Sequence, residues 1–384
     1  MKNISANPGL YLHIPFCDTK CGYCDFYSIT NNTFRAEFLP ALVKEISQYA
    51  KHPFQSSAYD TIYLGGGTPS LLATAELDQL FDTIYRHFSI SENCEITIEV
   101  NPGTIDEEKL NYYKSIGINR LSIGIQSFSN DELKLLGRIH NSKQAIETYK
   151  KARRAGIDNI SIDLIYALPD QSLSTWLSTL NKGLDLAPDH ISAYNLTYEE
   201  GTPFYRQLTK GRLSKQTEER EEQFYNHTIE RMQESGFFHY EISSYARSES
   251  RFSRHNYKYW THTNYLSFGP SAHSYWNGQR WRNIRSISKY IHGINSGMDI
   301  IDFRESIEED TMIFEKIMLG LRTADGIDLD KFSKSFTLSF MDLHKNLNTN
   351  LIENGFAVVE NGYFKLTHKG MLVCDEILPR FVAN

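Results

Sequence analysis

The chain reads as an α/β protein, a partial (β/α)6 barrel followed by a smaller C-terminal helical domain with a winged-helix-like hairpin. Three observations predict it. Through the first half, short runs of β-branched and aromatic residues alternate with stretches of helical spacing, in six successive units. From about Thr217 that rhythm stops and a different, more helical pattern follows. A length of 384 residues leaves room for one large domain and a smaller one, at ~100–200 residues each.

The strands are expected at Gly9–Ile14, Thr61–Leu64, Glu95–Val100, Arg120–Ile125, Asn159–Tyr166 and His190–Leu196. Helical spacing follows in Phe34–Ala50, Ala75–Phe88, Asp106–Ile116, Ser142–Ala155 and Leu173–Leu184. Strands alternating with helices of this length imply a parallel sheet. Six units fall short of a full (β/α)8 barrel, hence the partial one. A charged helix over Thr217–Ser235 leads into HYEISSYA, read as one further strand, and then an aromatic-rich, irregular stretch over Phe252–Trp281. Helical spacing returns at Ile307–Leu321. Alternating strands flank Asn361-Gly362, the strongest short hairpin dipeptide, before a last helix over His368–Leu378. The expected division is 1–240 for the barrel core, 241–300 for an aromatic-rich connecting segment and 301–384 for an accessory domain.

Composition narrows the function classes. Hydrophobic residues make up 40% and charged residues 23% of the chain, with a net charge of −7, as in ordinary globular proteins. No half is conspicuously basic, which argues against a nucleic-acid or anionic-membrane partner. No apolar run approaches the roughly 18 residues of a membrane span. The segment MKNISANPGLYLHIPFC lacks the apolar core and cleavage site of a signal peptide, so the expected location is cytoplasmic.

Three of the five cysteines, Cys17, Cys21 and Cys24, fall on the loop that follows the first strand. Thiolates are the soft ligands that zinc and iron–sulfur clusters select. A structural zinc site needs a fourth ligand, and the nearest candidate, His13, lies within the strand rather than on the loop. Three thiolates suit a cubane with one iron left open. Cys94 and Cys374 stand alone and read as buried structural thiols.

Functional groups of a parallel βα fold gather at the carboxyl ends of its strands. The cysteines follow the first strand, Gly65–Gly67 the second, and Glu99 ends the third; Gln126 follows the fourth, and Asp163 lies in the latter half of the fifth. Five strands thus aim polar or backbone-exposing residues at one rim. The three glycines let a ligand approach the backbone closely, and no Gly-Lys-Ser/Thr follows them, so they are not a P-loop.

YLHIPFCDTKCGYCDF closely resembles the cluster motif of radical S-adenosylmethionine (SAM) enzymes, in the branch that contains oxygen-independent coproporphyrinogen III oxidase. GGGTPS (Gly65–Ser70), IEVNPG (Ile98–Gly103), RLSIGIQSF (Arg120–Phe128), LGRIH (Leu136–His140) and DLIYALPDQ (Asp163–Gln171) continue the match in order. The resemblance implies a [4Fe–4S] cluster on Cys17, Cys21 and Cys24 whose open iron is chelated by SAM, with the glycine loop holding the methionine amino group. It also implies a SAM pocket of Tyr11, Gly66, Gly67, Thr68, Glu99, Gln126, Arg138 and Asp163. Read without the motif, Arg138 and Asp163 are a surface charge and a helix cap.

Two departures separate the chain from the oxidases. Phe26 stands where they resemble a fourth cysteine, and sixteen residues precede Cys17 where they carry a longer leading segment. Both match a sibling branch of heme chaperones, HemW. His255-Asn256-x-x-Tyr259-Trp260 matches that branch's HNxxYW motif. Trp260, Trp276 and Trp281 lie close together, interleaved with Tyr257, Tyr265, Phe268 and Tyr275. Aromatic rings suit the flat apolar face of heme, and histidine is a common ligand of its iron. His255 is therefore the candidate axial ligand and His273 the weaker one; a domain interface explains the same aromatics.

The expectation is a radical SAM protein that binds heme and delivers it to acceptor proteins. The alternative is radical oxidation of a porphyrinogen, as in the oxidase branch, so whether the chain is an enzyme stays open. A radical SAM methyltransferase finds no further cysteine pair to carry the methyl group. Expected partners are heme or a porphyrin, heme-accepting proteins and an electron donor such as flavodoxin or ferredoxin, with a homodimer left open.

Overall fold

The computed structural model describes residues 6–49, 54 and 57–382. The first half runs β1 (Gly9–Ile14), α1 (Arg35–Tyr49), β2 (Ala58–Gly66), α2 (Thr74–His87), β3 (Ser89–Val100), α3 (Glu107–Ser115), β4 (Arg120–Gln126), α4 (Asn130–Leu136), α5 (Ser142–Arg154), β5 (Asn159–Tyr166), α6 (Leu173–Asp185) and β6 (His190–Asn195). The second half continues α7 (Pro203–Thr209), α8 (Glu218–Glu234), β7 (Phe238–Glu241), β8 (Ser244–Ala246), α9 (Arg254–Thr261), β9 (Tyr265–Phe268), β10 (His273–Trp276), β11 (Gln279–Asn283), α10 (Ile287–Ser296) and β12 (Ile301–Ser306). After α11 (Glu309–Gly320) come β13 (Ile327–Asp328), α12 (Leu329–Phe336), α13 (Phe340–Leu343), α14 (Lys345–Glu353), β14 (Ala357–Glu360), β15 (Tyr363–Leu366), α15 (His368–Leu372) and α16 (Cys374–Ile377).

Among the described residues one sheet of twelve strands has the order β12-β11-β10-β9-β1-β2-β3-β4-β5-β6-β8-β7. Strands β1 to β6 are parallel neighbours, and β9 joins β1 in parallel on the other side. The two ends of the sheet do not pair with each other, so the barrel is partial. Side chains alternate faces along a strand, and here the alternation sorts by polarity. Leu10, Leu12, Ile62, Leu64, Ile96, Ile98, Leu121 and Ile123 are buried in one core with Leu42, Leu77 and Leu110 of the helices. The opposite register carries Tyr11, Tyr63, Thr97, Glu99, Ser122, Ser161, Asp163 and His190 into the barrel. Local signals start the helices: Asp106, Asn141, Ser172 and Thr217 each cap the helix that follows, accepting a backbone N–H, worth ~0.5–2 kcal/mol apiece.

The parallel strands fall where the periodicity put them, with β3 extended backwards to Ser89 and β2 extended both ways, to Ala58 and Gly66, so that Gly65 and Gly66 end the second strand rather than follow it. Ala50, the expected last residue of the first helix, lies outside the described residues. Helices α4 and α7 were not expected; at seven residues each they are too short for periodicity to reveal. HYEISSYA is two strands, β7 and β8, which fold back on each other as antiparallel neighbours. The stretch expected to be irregular, Phe252–Trp281, is instead α9, β9, β10 and most of β11. Strands of four or five residues borrow their stability from the neighbouring sheet, which local pattern does not report. The last helix breaks at Val373 into α15 and α16.

Beyond α11 a three-stranded sheet, β13-β15-β14, sits among short helices. Asn361 and Gly362 both have positive φ, 52° and 83°, as a two-residue type I′ turn between twisted strands demands. This part is stitched to the barrel's edge hairpin: Ile242 N–H donates to Arg322 O at 3.0 Å and Ala324 N–H to Tyr240 O at 3.0 Å. Among the described residues no helix is long and apolar enough to cross a membrane. Cys94 and Cys374 are buried.

Candidate functional site

The loop after β1 is pinned at both ends. Cys17 N–H donates to Ile29 O at 2.9 Å, and Ile29 N–H to Pro15 O at 2.7 Å. Across the barrel mouth Gly22 N–H meets Leu136 O at 3.4 Å, while Phe204 N–H donates to Gly22 O at 2.9 Å. The three thiols are left half-exposed. Burial raises the pKa of Cys17 and pushes Cys24 up to about 11, and each of these thiols also feels the charge of Cys21. They are neighbours, although among the described residues no trio of His, Cys, Asp or Glu is drawn into metal-ligating geometry. Thr68 Oγ1 donates to Cys17 Sγ at 3.4 Å and Arg138 Nη1 to Cys21 Sγ at 3.5 Å. Phe26 is 68% exposed beside them.

The glycine loop runs directly over the end of β1. Gly67 N–H donates to Ile14 O and Thr68 N–H to Phe16 O, both at 2.8 Å. A Cβ on Gly67 would stand 2.7 Å from Phe16 O and 2.9 Å from Ile14 O, and Gly66 has φ +110°. Glycine is required at both. Glu99, recessed in the barrel mouth, accepts Gly66 N–H at 3.1 Å and the Tyr63 hydroxyl at 2.9 Å. Burial pushes its pKa up to about 7, with the Asp163 carboxylate adding to the rise.

Arg138 spans the rim. Its Nη2 donates to Asn101 Oδ1 at 2.6 Å and to Gly124 O at 2.8 Å, and its Nε is buried without a partner. Asp163 accepts from Ser122 Oγ at 2.9 Å and Ser161 Oγ at 3.5 Å, neither a helix cap nor a surface charge. Gln126 ends β4 with φ 69°, and its Nε2 lies 2.9 Å from where a Gly124 Cβ would stand. The loop cysteines, Gly66–Thr68, Glu99, Gln126, Arg138 and Asp163 therefore share the carboxyl-end mouth of one barrel. Tyr11 lies a layer deeper, its ring 5.9 Å from that of Tyr63.

His255 lies elsewhere. It is fully buried in α9, against Gly9, the first residue of β1, and its register partner Thr61 of β2, and so away from the strand ends that carry the cysteines. Its Nδ1 is 2.8 Å from Thr61 Oγ1 and its Nε2 2.9 Å from the Tyr259 hydroxyl. Both nitrogens are engaged, and burial lowers the pKa to about 3. The candidate axial ligand is thus an enclosed, neutral imidazole; a histidine in sequence shows its neighbours along the chain but not the three strands that cover it. His273 is exposed on β10.

Two residues, one in the mouth and one in the layer beneath it, were not singled out in the sequence. Asn101 ties Arg138 to His140, whose Nδ1 is 3.3 Å from Asn101 Oδ1; it stands inside the IEVNPG motif. Tyr63 faces Tyr11 in register, and its signal was an aromatic at the inward parity of β2. His13 is not a loop ligand: its Nε2 meets Tyr27 O at 2.8 Å. Three half-exposed thiols, a cradle that a single Cβ would fill and, at the same rim, an Arg138 whose Nε is buried without a partner fit a [4Fe–4S] cluster held by cysteine thiolates with a small polar ligand beside it.

Residues 11–182 match the radical SAM superfamily and residues 307–373 the HemN C-terminal domain. The chain is 35% identical over 378 residues to a heme chaperone HemW of Bacillus subtilis, covering 97% of this chain and 99% of that one. To a heme chaperone HemW of Lactococcus lactis it is 31% identical over 376 residues, 97% of each. A solved coproporphyrinogen III oxidase (HemN) from Escherichia coli, a radical SAM enzyme, has the same fold, with a TM-score of 0.86 at 24% identity over 98% of this chain and 90% of that one.

Proposed function

The chain belongs to the HemW family of radical SAM proteins, and from that premise we propose that it binds heme and delivers it to acceptor proteins. The observation that carries the reading is likeness to proteins named heme chaperones over nearly their whole length, barrel and C-terminal segment together. Phe26 at the position two after Cys24 supports it against the oxidase reading.

In this reading Cys17, Cys21 and Cys24 hold a [4Fe–4S] cluster, and SAM lies over Gly66, Gly67 and Thr68. Glu99 would accept from an amine or a ribose, Arg138 would pair with a carboxylate, and Gln126, Asp163 and Tyr11 would complete the pocket. When bound, the cluster and SAM supply one-electron reductive chemistry. The chain's own residues orient the ligand: Arg138 holds Asn101 and Gly124 together, and Tyr63 fixes Glu99. A solvent-reachable side chain is the proposed iron ligand for heme. His273 is exposed, whereas His255 is enclosed and would have to give up one of its two hydrogen bonds. Flavodoxin or ferredoxin is the proposed electron donor, the cytoplasm the proposed location, and 1–240, 241–300 and 301–384 the proposed division of labour.

The competing reading, oxidative decarboxylation of a porphyrinogen, draws on the intact rim. One experiment separates them. Anaerobically reconstituted protein is given reductant, SAM and coproporphyrinogen III, and in parallel is titrated with heme. Stoichiometric heme binding with no protoporphyrinogen above a Cys21→Ala control is the expected result. Protoporphyrinogen above that control makes the chain an oxidase.

A further inference from the structure

Helix α9 carries the HNxxYW residues, and its every turn is fastened to the floor of the barrel. Lys258, 1% exposed, places Nζ 2.7 Å from Asp60 Oδ1 and donates to Asn7 O at 2.7 Å. Arg254 Nη2 is 2.8 Å from Asp60 Oδ2, and His255 N–H donates to Glu95 Oε1 at 3.2 Å. The imidazole has no sideways room: a Cβ on Gly9 would lie 2.9 Å from its Nδ1. Upwards it meets two rings. It stacks on Tyr63 at 5.2 Å and 29°, and on Tyr11 at 6.1 Å and 26°. The Tyr63 hydroxyl then reaches Glu99 Oε1, and the other oxygen of Glu99 takes the Gly66 N–H.

We infer that His255 is a positioning residue for the SAM pocket: it supports Tyr63 from below, and through the Tyr63 hydroxyl sets where Glu99 and the Gly66 backbone stand. The inference rests on the SAM pocket proposed above and says nothing of heme. A column of four groups links α9 to the glycine loop, although His255 and Tyr63 are far apart in the chain. Each contact is held by a partner on a different element, so the column has little freedom to relax when one member is cut. A neutral ring suits this place, since a protonated one would sit unpaired beside the Lys258 ammonium.

The test is calorimetric SAM binding to cluster-loaded protein, with iron content measured in each sample, for His255→Ala, Tyr63→Phe and the double variant. Each single change is expected to weaken SAM binding about tenfold, the scale of one lost buried hydrogen-bond partner. The double variant is expected to be no worse than the weaker single, because both act on Glu99. Should His255→Ala fail to fold, His255→Leu, which fills the volume but removes the stacked ring, is measured instead; SAM binding about tenfold weaker is expected, and wild-type affinity overturns the inference. Unchanged SAM affinity in folded, cluster-loaded His255→Ala overturns the inference, as do losses that simply add. Loss of the heme spectrum in that variant with SAM binding intact makes His255 a heme residue instead. Wild-type protein that loads the cluster yet binds no SAM defeats the pocket reading itself, a result distinct from any of these.

Discussion

At the carboxyl ends of the strands Cys17, Cys21 and Cys24 stand half-exposed, contacted by a threonine hydroxyl and a guanidinium; at the amino ends His255 and Lys258 are sealed from water and bonded on every side. The mouth departs from ordinary backbone geometry, with positive φ at Gly66 and Gln126 and a buried Nε on Arg138 that lacks a partner. The floor shows ordinary helix geometry at α9 and a doubly bridged Asp60. At the mouth the unpartnered Arg138 Nε and the positive φ of Gln126 leave capacity that a ligand can meet. At the floor the buried charges are paired, as suits a part whose task is to stay still. The same alternation of side chains along β1 and β2 serves both ends, so the difference lies in what the loops and α9 bring to them.

Four measurements would break or sharpen that contrast. The largest effect is expected at the mouth, where Cys21→Ala should abolish cluster assembly, read as loss of bound iron and sulfide, while leaving the urea midpoint of the cluster-free protein nearly unchanged because the thiol is half-exposed. A large fall in that midpoint would mean the loop is structural after all. At the floor the order reverses. Asp60→Asn should destabilise the chain by about 3–5 kcal/mol, since it leaves the Lys258 ammonium buried without its counter-charge, yet cluster loading of the folded fraction should persist. A change below about 1 kcal/mol, the scale of a surface pair, would show that the floor is wetter than its geometry.

Gly67→Ala comes next. The added methyl meets two backbone carbonyls under 3.0 Å away, so the loop must shift, and SAM affinity measured by calorimetry should fall about tenfold with a stability loss of about 1–3 kcal/mol. Wild-type affinity would mean that the loop does not touch the ligand. The smallest effect concerns Glu99, which holds its proton up to about pH 7 in the fold against 4.5 ordinarily. Between those values the folded chain binds the extra proton, so this group's contribution to stability is full below the ordinary value and is lost as pH rises through about 7. Urea unfolding at pH ~5 and ~8 should show that slope in the wild type and a shallower one in Glu99→Gln; equal slopes would place Glu99 in water.

Much of this was legible in the sequence. The parallel strands and their helices follow from period-2 and period-3.6 patterns long enough to dominate locally, and β1 and β5 fall on their expected residues. The rim residues were legible for a related reason: in a parallel βα fold, the end of a strand and the turn after it are adjacent in sequence and in space. Tyr63 escaped because its importance is the carboxylate above and the imidazole below, neither of them local. The region from Phe252 to Trp281 escaped because each of its strands is too short to declare itself and becomes a strand by pairing with β1 or with its neighbours.

What the sequence determined by itself is the α/β rhythm, the cysteine spacing and the glycine-rich turn over the first strand, all set by interactions within a few residues. Tertiary structure alone decided which way His255 faces. In the chain it is a histidine beside an asparagine; in the fold, contacts from β1, β2 and β3 enclose it, because desolvating a neutral imidazole that keeps both hydrogen bonds costs little.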